Sequence, residues 1–210
     1  MILYRIVRVI VLSLCRVLFR VQVVGLEHVP RGGSYIIAPT HRSLLDIPFA
    51  AYATKRRIRF MAKEELFTKP WLGGLITALG GFPVSRGSAD RAALRTAQDT
   101  IESGEPTALF PEGTRLHGRE VGPLFDGAAY LAARTGVPIV PVAIGGSEQI
   151  LSSGRVLPRF KRVAVVIGPP IQPPTRDGGA VKRAGVQAMT AELQVALQRL
   201  LDEAMQRGGY

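Results

Sequence analysis

Short apolar runs alternate with helical periodicity along most of this chain. The runs predict strands at Val21–Val24, Tyr35–Ala38, Ile58–Met61, Phe82–Val84, Thr107–Phe110, Ile139–Ile144 and Val163–Ile167. Between them, apolar positions three and four apart predict helices at Leu44–Ala53, Trp71–Leu79, Asp90–Ser103, Phe125–Arg134 and Val181–Gln206. Strands alternating with helices predict an α/β fold, a mostly parallel or mixed central sheet flanked by helices. Met189, Leu193, Leu197, Leu200 and Leu201 give the last helix one buried face, and the Pro/Gly-rich stretch from Gly168 to Pro174 reads as the connector before it. No internal repeat or long linker interrupts the pattern. In open α/β sheets, ligands gather beyond the carboxyl ends of the strands. His41, Arg86 and Glu112 each follow a predicted strand by a few residues, so they are expected to converge on one edge.

The first segment has a different pattern. Met1 to Val24 is largely Ile, Leu and Val, punctuated by Arg5, Arg8, Arg16 and Arg20. On a helix these arginines fall within an arc of roughly 120°, with the remaining circumference apolar. A signal peptide would place its charges first and its apolar block second. A stripe of charge along an apolar helix suits one lying in a membrane interface, with arginines at the lipid phosphates. The competing reading is a helix packed on the core with a solvated arginine face. Residues 1–24 are therefore read as a basic amphipathic membrane-associating helix, and residues 25–210 as the catalytic domain. No run of 18 apolar residues occurs, so a simple transmembrane span is not expected. The expected location is the cytoplasmic face of the cell membrane, as a peripheral or monotopic protein.

Composition narrows the partners. The chain has 210 residues, enough for one domain with a core, and a formal charge of +11, carried by 22 Arg and 5 Lys. Such a chain meets nucleic acid, an anionic membrane or an anionic substrate. Nucleic acid is disfavoured: there is no recognisable reading motif, and aromatic residues to stack bases are only 7% of the chain. A single cysteine, Cys15, excludes an intramolecular disulfide framework and a multi-cysteine metal site. It is most simply read as belonging to a reducing compartment.

Three segments carry candidate chemistry. In Thr40-His41-Arg42-Ser43-Leu44-Leu45-Asp46, a histidine precedes a carboxylate by five positions. A histidine can take the proton of an attacking alcohol near neutral pH, and a carboxylate fixes its tautomer. A regular helix would set the two side chains ~140° apart. A turn must therefore intervene, with His41 ahead of a helix and Asp46 in its first turns. Alone, the pair reads more readily as a surface histidine near a helix-start aspartate. Gly80-Gly81-Phe82-Pro83-Val84-Ser85-Arg86-Gly87 delivers Arg86 at a strand end, where a guanidinium can fork a phosphate or simply be solvated. Phe110-Pro111-Glu112-Gly113-Thr114-Arg115 is a turn after a buried strand. It offers Glu112 as acceptor for an alcohol and Arg115 as a partner for phosphate. Lys63 is a further cation, equally readable as a solvated lysine at a helix start. Val137 to Ile144 reads as a buried strand near the site.

Taken in this order, the segments resemble the glycerolipid acyltransferases, specifically the 1-acylglycerol-3-phosphate acyltransferases, over about residues 25–170. The family's four blocks read here as His41–Asp46, Gly81–Arg86, Phe110–Arg115 and Val137–Val142. The resemblance implies that His41 is the general base and Asp46 its orienting carboxylate. It implies that Arg86, Arg115 and Lys63 meet the acceptor phosphate, and that Glu112, Gly113 and Thr114 hold the acceptor. The implied reaction moves a fatty acyl group from acyl-CoA or an acyl carrier protein thioester to lysophosphatidate, giving phosphatidate, with no metal or resident cofactor. Glycerol 3-phosphate or another lysophospholipid is an alternative acceptor. Water in the acceptor's place would make a thioester hydrolase. Two residues depart from the family pattern: Thr40 stands where Asn is usual before the histidine, and Asp126 stands where a basic residue often follows the aromatic.

Overall fold

A computed structural model describes residues 2–84, 91–150, 158–174 and 181–210. Its centre is a seven-stranded sheet: β1 (Gln22–Val24), β2 (Ile36–Pro39), β3 (Arg59–Lys63), β4 (Gly81–Val84), β5 (Thr107–Ala108), β6 (Ile139–Gly145) and β7 (Ala164–Ile167). The spatial order is β1-β7-β6-β2-β5-β3-β4. Strands β6, β2, β5, β3 and β4 run parallel, β7 reverses against β6, and β1 follows β7. Each predicted strand is present, within a few residues of its expected ends.

Parallel strands covered on both faces must be apolar on both. β2, β6 and β7 are accordingly buried along their whole lengths. Their alternating side chains feed two cores. Ile36, Ala38, Ile139, Ala143, Ala164 and Val166 point into the layer formed by α4 (Arg91–Glu102), α5 (Gly127–Thr135) and α7 (Arg183–Gly208). Tyr35, Ile37, Val140, Val142, Ile144 and Val165 point to the other face, under α1 (Ile2–Phe19) and α2 (Asp46–Ala50). α3 (Pro70–Ala78) and the short α6 (Ser147–Ile150) complete the helices described. The predicted helix at Leu44–Ala53 is shorter than expected: α2 tightens into a 3-10 turn at Ala51–Ala53. Asp90 lies outside the described residues.

The amino-terminal segment departs from expectation in two ways. It is not one helix to Val24. The helix ends at Phe19, Arg20 takes a left-handed φ of 45°, and Gln22–Val24 pairs in register with β7 as part of the sheet. The four arginines also do not act as one stripe. Arg8 turns inward and donates to the Ala51 and Thr54 carbonyls, which the 3-10 turn leaves without partners. Arg5, Arg16 and Arg20 remain exposed. Tyr4, Cys15 and Phe19 pack α1 onto the core, and the Tyr52 hydroxyl donates to the Leu12 carbonyl. Burial pushes that phenol's pKa up to about 12, so it stays a donor. The opposite side of α1 is apolar yet solvent-facing, with Ile2, Ile6, Val9, Ile10 and Val17 exposed.

Candidate active site

β2 ends at the middle of the parallel sheet, and its carboxyl end is where the chain must turn. Thr40 holds that turn. It is buried, its N–H reaches the Val142 carbonyl at 3.0 Å, and its Oγ1 accepts the Ile144 N–H at 3.0 Å. A side chain with an oxygen acceptor is what this position uses, so the departure from asparagine leaves the loop anchored. His41 follows, and α2 begins at Asp46. Between them the chain wraps around one carboxylate oxygen. Asp46 Oδ2 accepts the Arg42 N–H at 2.5 Å, the Ser43 N–H at 2.6 Å and His41 Nδ1 at 3.0 Å. That wrap resolves the ~140° mismatch of a regular helix.

Asp46 is fully buried and the His41 side chain is 14% exposed, so the pair sits at a wall facing solvent with one edge. With Nδ1 donating to the carboxylate, the proton-accepting nitrogen is Nε2, which has no partner among the described residues. Phe110 stacks on the imidazole, with ring centroids 4.1 Å apart, and fixes its plane.

The sequence reading assigns Glu112 to the acceptor alcohol, and the structure corrects this. The Glu112 carboxylate is fully buried and turned inward. Arg42 Nη1 reaches both its oxygens, at 2.9 and 2.8 Å, the His41 N–H donates to Oε2 at 2.8 Å, and the Gly122 N–H donates to Oε1 at 3.3 Å. Arg42, itself 5% exposed, spends its remaining donors on the backbone. It reaches the carbonyls of His41 (3.0 Å), Gly118 (3.2 Å) and Glu120 (2.8 Å). A guanidinium and a carboxylate thus clamp the histidine's own peptide against the loop from Gly113 to Gly122. The Leu116 N–H completes the clamp on the His41 carbonyl at 2.9 Å. Sequence reasoning missed Arg42. The available signal was an arginine inside the His–Asp spacing on a segment otherwise destined for burial, where an arginine needs a carboxylate partner.

The other predicted site residues are placed as follows. Gly113, Thr114 and Arg115 are exposed on the turn after β5, one to three residues before the Leu116 anchor. Gly113 has a φ of 66°, and a Cβ there would meet the Phe125 ring at 2.6 Å. Gly113→Ala is therefore expected to strain the turn by about 1 kcal/mol and to displace Phe125. Steady-state kinetics should show a larger loss in kcat/KM than that stability change explains. Lys63 ends β3 at the same sheet end as His41, but its ammonium pairs with Glu65 at 2.7 Å and is 44% exposed. Arg86 lies outside the described residues, two positions past the end of β4. Asp126 accepts from the Thr190 hydroxyl at 2.7 Å and ties the start of α5 to α7. Among the described residues, no group of three His, Cys, Asp or Glu side chains could hold a metal. Cys15 is buried, which raises its thiol pKa and keeps it protonated.

Beside Phe110 opens a cavity of about 260 Å³ between α1, α2 and the sheet. Val11, Ile47, Ala51, Phe60, Ala108 and Phe110 are among its walls. A base with an open nitrogen, a rigid clamp behind it and an apolar cavity leading away suit proton removal beside a long hydrocarbon.

Comparison with known proteins gives the family. Residues 20–145 match the acyltransferase family, and the chain belongs to it. A 1-acyl-sn-glycerol-3-phosphate acyltransferase of Bacillus subtilis is 29% identical over 187 residues, covering 86% of this chain and 91% of that one. One from Streptococcus pneumoniae is 30% identical, covering 82% of this chain and 62% of its own. Of a chloroplastic relative from Brassica napus, this chain spans 40% of the length. The crystal structure of the lysophosphatidate acyltransferase PlsC from Thermotoga maritima superposes with a TM-score of 0.72 at 29% identity, covering 87% of this chain and 71% of that one.

Proposed function

We propose that this protein transfers a fatty acyl group from a thioester to the free hydroxyl of lysophosphatidate, forming phosphatidate. The observation that carries the proposal is the His41–Asp46 pair, with Nε2 open beside an apolar cavity. The names of the similar bacterial proteins supply the acceptor.

The steps follow from the geometry. The acceptor hydroxyl gives its proton to His41 Nε2 as its oxygen attacks the thioester carbonyl carbon. Asp46 stabilises the imidazolium that results. The carbon–sulfur bond breaks, and the departing thiolate takes the proton back from Nε2, leaving ester and free thiol. The hydrocarbon chain occupies the cavity under α1. No enzyme nucleophile is needed, since the acceptor oxygen attacks directly. The acceptor phosphate falls to Arg115, exposed on the turn after β5, and to Arg86, which follows β4 by two positions in the sequence, with acyl-CoA or a carrier-protein thioester as donor.

The exposed apolar side of α1 supports docking on a membrane interface, which we place on the cytoplasmic face. No helix among the described residues is long and apolar enough to cross a membrane.

The test is thioester release from palmitoyl-CoA, with mass spectrometry of the lipid product. Lysophosphatidate, glycerol 3-phosphate and no acceptor run in parallel. Phosphatidate formed only with lysophosphatidate is the expected result. Thiol release without an acceptor would instead make the protein a hydrolase. In the same assay, Arg115→Ala and Arg86→Ala should each raise the acceptor KM roughly tenfold or more and leave the donor KM nearly unchanged. An unmoved acceptor KM in both would remove the phosphate site.

A further inference from the structure

A second cavity, of about 340 Å³, lies at the opposite end of the sheet from His41. Its walls come from the first turns of α1, from Lys55-Arg56-Arg57 ahead of β3, and from Glu105-Pro106 ahead of β5. These are the amino ends of strands whose carboxyl ends face the catalytic histidine. The two sites are thus separated by a strand length, on the order of 15 Å.

Its charge is lopsided. Arg5, Arg8, Lys55, Arg56 and Arg57 line it, against the carboxylate of Glu105. That carboxylate is already shared: Arg57 approaches at 3.9 Å, and Arg59, just behind, at 3.5 Å. Arg8 and Arg56 otherwise donate to neutral backbone carbonyls, which satisfy geometry but leave charge uncompensated. Two guanidinium nitrogens, Arg8 Nη1 and Arg57 Nε, are buried with no partner. Arg5 and Lys55 stand exposed at the rim and take no ion-pair partner among the described residues. Like charges held together this way oppose folding, and unpaired buried donors add to the cost. A bound anion removes both penalties, and guanidinium forks match a phosphate best.

The rim indicates where that phosphate comes from. Ile2 and Ile6, 76% and 52% exposed, stand one turn and one residue from Arg5 on the unpartnered apolar side of α1. A phosphate entering beside them would bring hydrocarbon onto that surface. We propose that this recess is a second anion site, taking the phosphate of an anionic phospholipid whose chains lie along the exposed side of α1. The proposal rests on the membrane docking described above and adds to it a defined headgroup pocket. Tyr4 and Arg8 line both cavities, so a lipid held here also steadies the roof of the acyl cavity.

The test uses the full chain and separates the pocket from general membrane affinity. Vesicles of phosphatidylcholine, with and without phosphatidylglycerol, are sedimented with wild type, Arg5→Gln/Lys55→Gln, Ile6→Asp/Val9→Asp, and the charge-matched control Arg183→Gln/Arg199→Gln. The rim pair is expected to lose about tenfold or more in affinity for phosphatidylglycerol vesicles, with the control pair unaffected. Equal losses in the two pairs would overturn the pocket in favour of net charge. Unchanged binding of Ile6→Asp/Val9→Asp would count against the docking of α1 itself. Short-chain phosphatidylglycerol below its micelle concentration should shift the Arg8 and Arg57 Nε–H resonances saturably. A missing shift, or an equal one with inorganic phosphate, would overturn the lipid assignment.

Discussion

Replacing His41 by alanine is expected to lower acyl transfer by at least about 10²-fold while the protein stays folded. The side chain contributes little to stability, being at the solvent edge of the site with one hydrogen bond to Asp46. Its removal leaves the Asp46 Oδ2 bonds to the Arg42 and Ser43 N–H groups in place, so the loop keeps its shape. Donor binding should persist, because the apolar cavity is untouched. The measurement is single-turnover transfer at saturating palmitoyl-CoA and lysophosphatidate, with thermal unfolding alongside. Full activity in a folded variant would sink the mechanism. Asp46→Asn gives a useful second reading. It keeps an oxygen for the backbone N–H groups but cannot hold the imidazolium, so turnover should fall with less change in stability than Asp46→Ala.

The second large effect is structural as well as catalytic. Arg42→Ala is expected to destabilise the fold by about 3–5 kcal/mol, because it abandons a buried Glu112 carboxylate. For a domain of this size, that lowers Tm by about 10 °C. It also frees the carbonyls of His41, Gly118 and Glu120, so the loop behind the imidazole loses its anchor. Arg42→Lys keeps the charge but cannot serve three carbonyls and both Glu112 oxygens, and should fall between wild type and alanine. Replacing both partners, as Arg42→Met/Glu112→Leu, should recover stability relative to Arg42→Ala without recovering turnover. A double variant as active as wild type would show that the clamp does not position His41. Thermal unfolding and kcat measured well below Tm separate the two effects.

Much of this arrangement is legible in the order of residues. The apolar runs at Tyr35–Ala38, Ile139–Ile144 and Val163–Ile167 are continuous because both faces of their strands are covered. The His41–Asp46 spacing requires a turn followed by a helix start, and that is the local geometry found. Other features depend on partners far away in the chain. The reversal of β7 against β6 leaves no local trace, since side-chain alternation is the same for either direction. Glu112 looks like an acceptor for an alcohol as long as Arg42, 70 positions earlier, is not known to face it. Arg8 looks like one more lipid-facing arginine until the carbonyls of Ala51 and Thr54 appear opposite it. Val21–Val24 reads both as a strand and as the end of a helix from Met1, and the pairing of Gln22–Val24 with β7 decides for the strand.

Period, spacing and composition act over a few residues. They are enough to define the layered α/β class, the strand positions, the turn that joins His41 to Asp46, and the basic apolar character of the first helix. Contacts between distant segments govern which charged groups face solvent and which are spent inside, because a buried guanidinium or carboxylate is tolerable only opposite a specific partner. That condition turned Glu112 and Arg42 into a clamp, while the packing of α1 beside the amino ends of β3 and β5 brought five cations around one recess at the far end of the sheet.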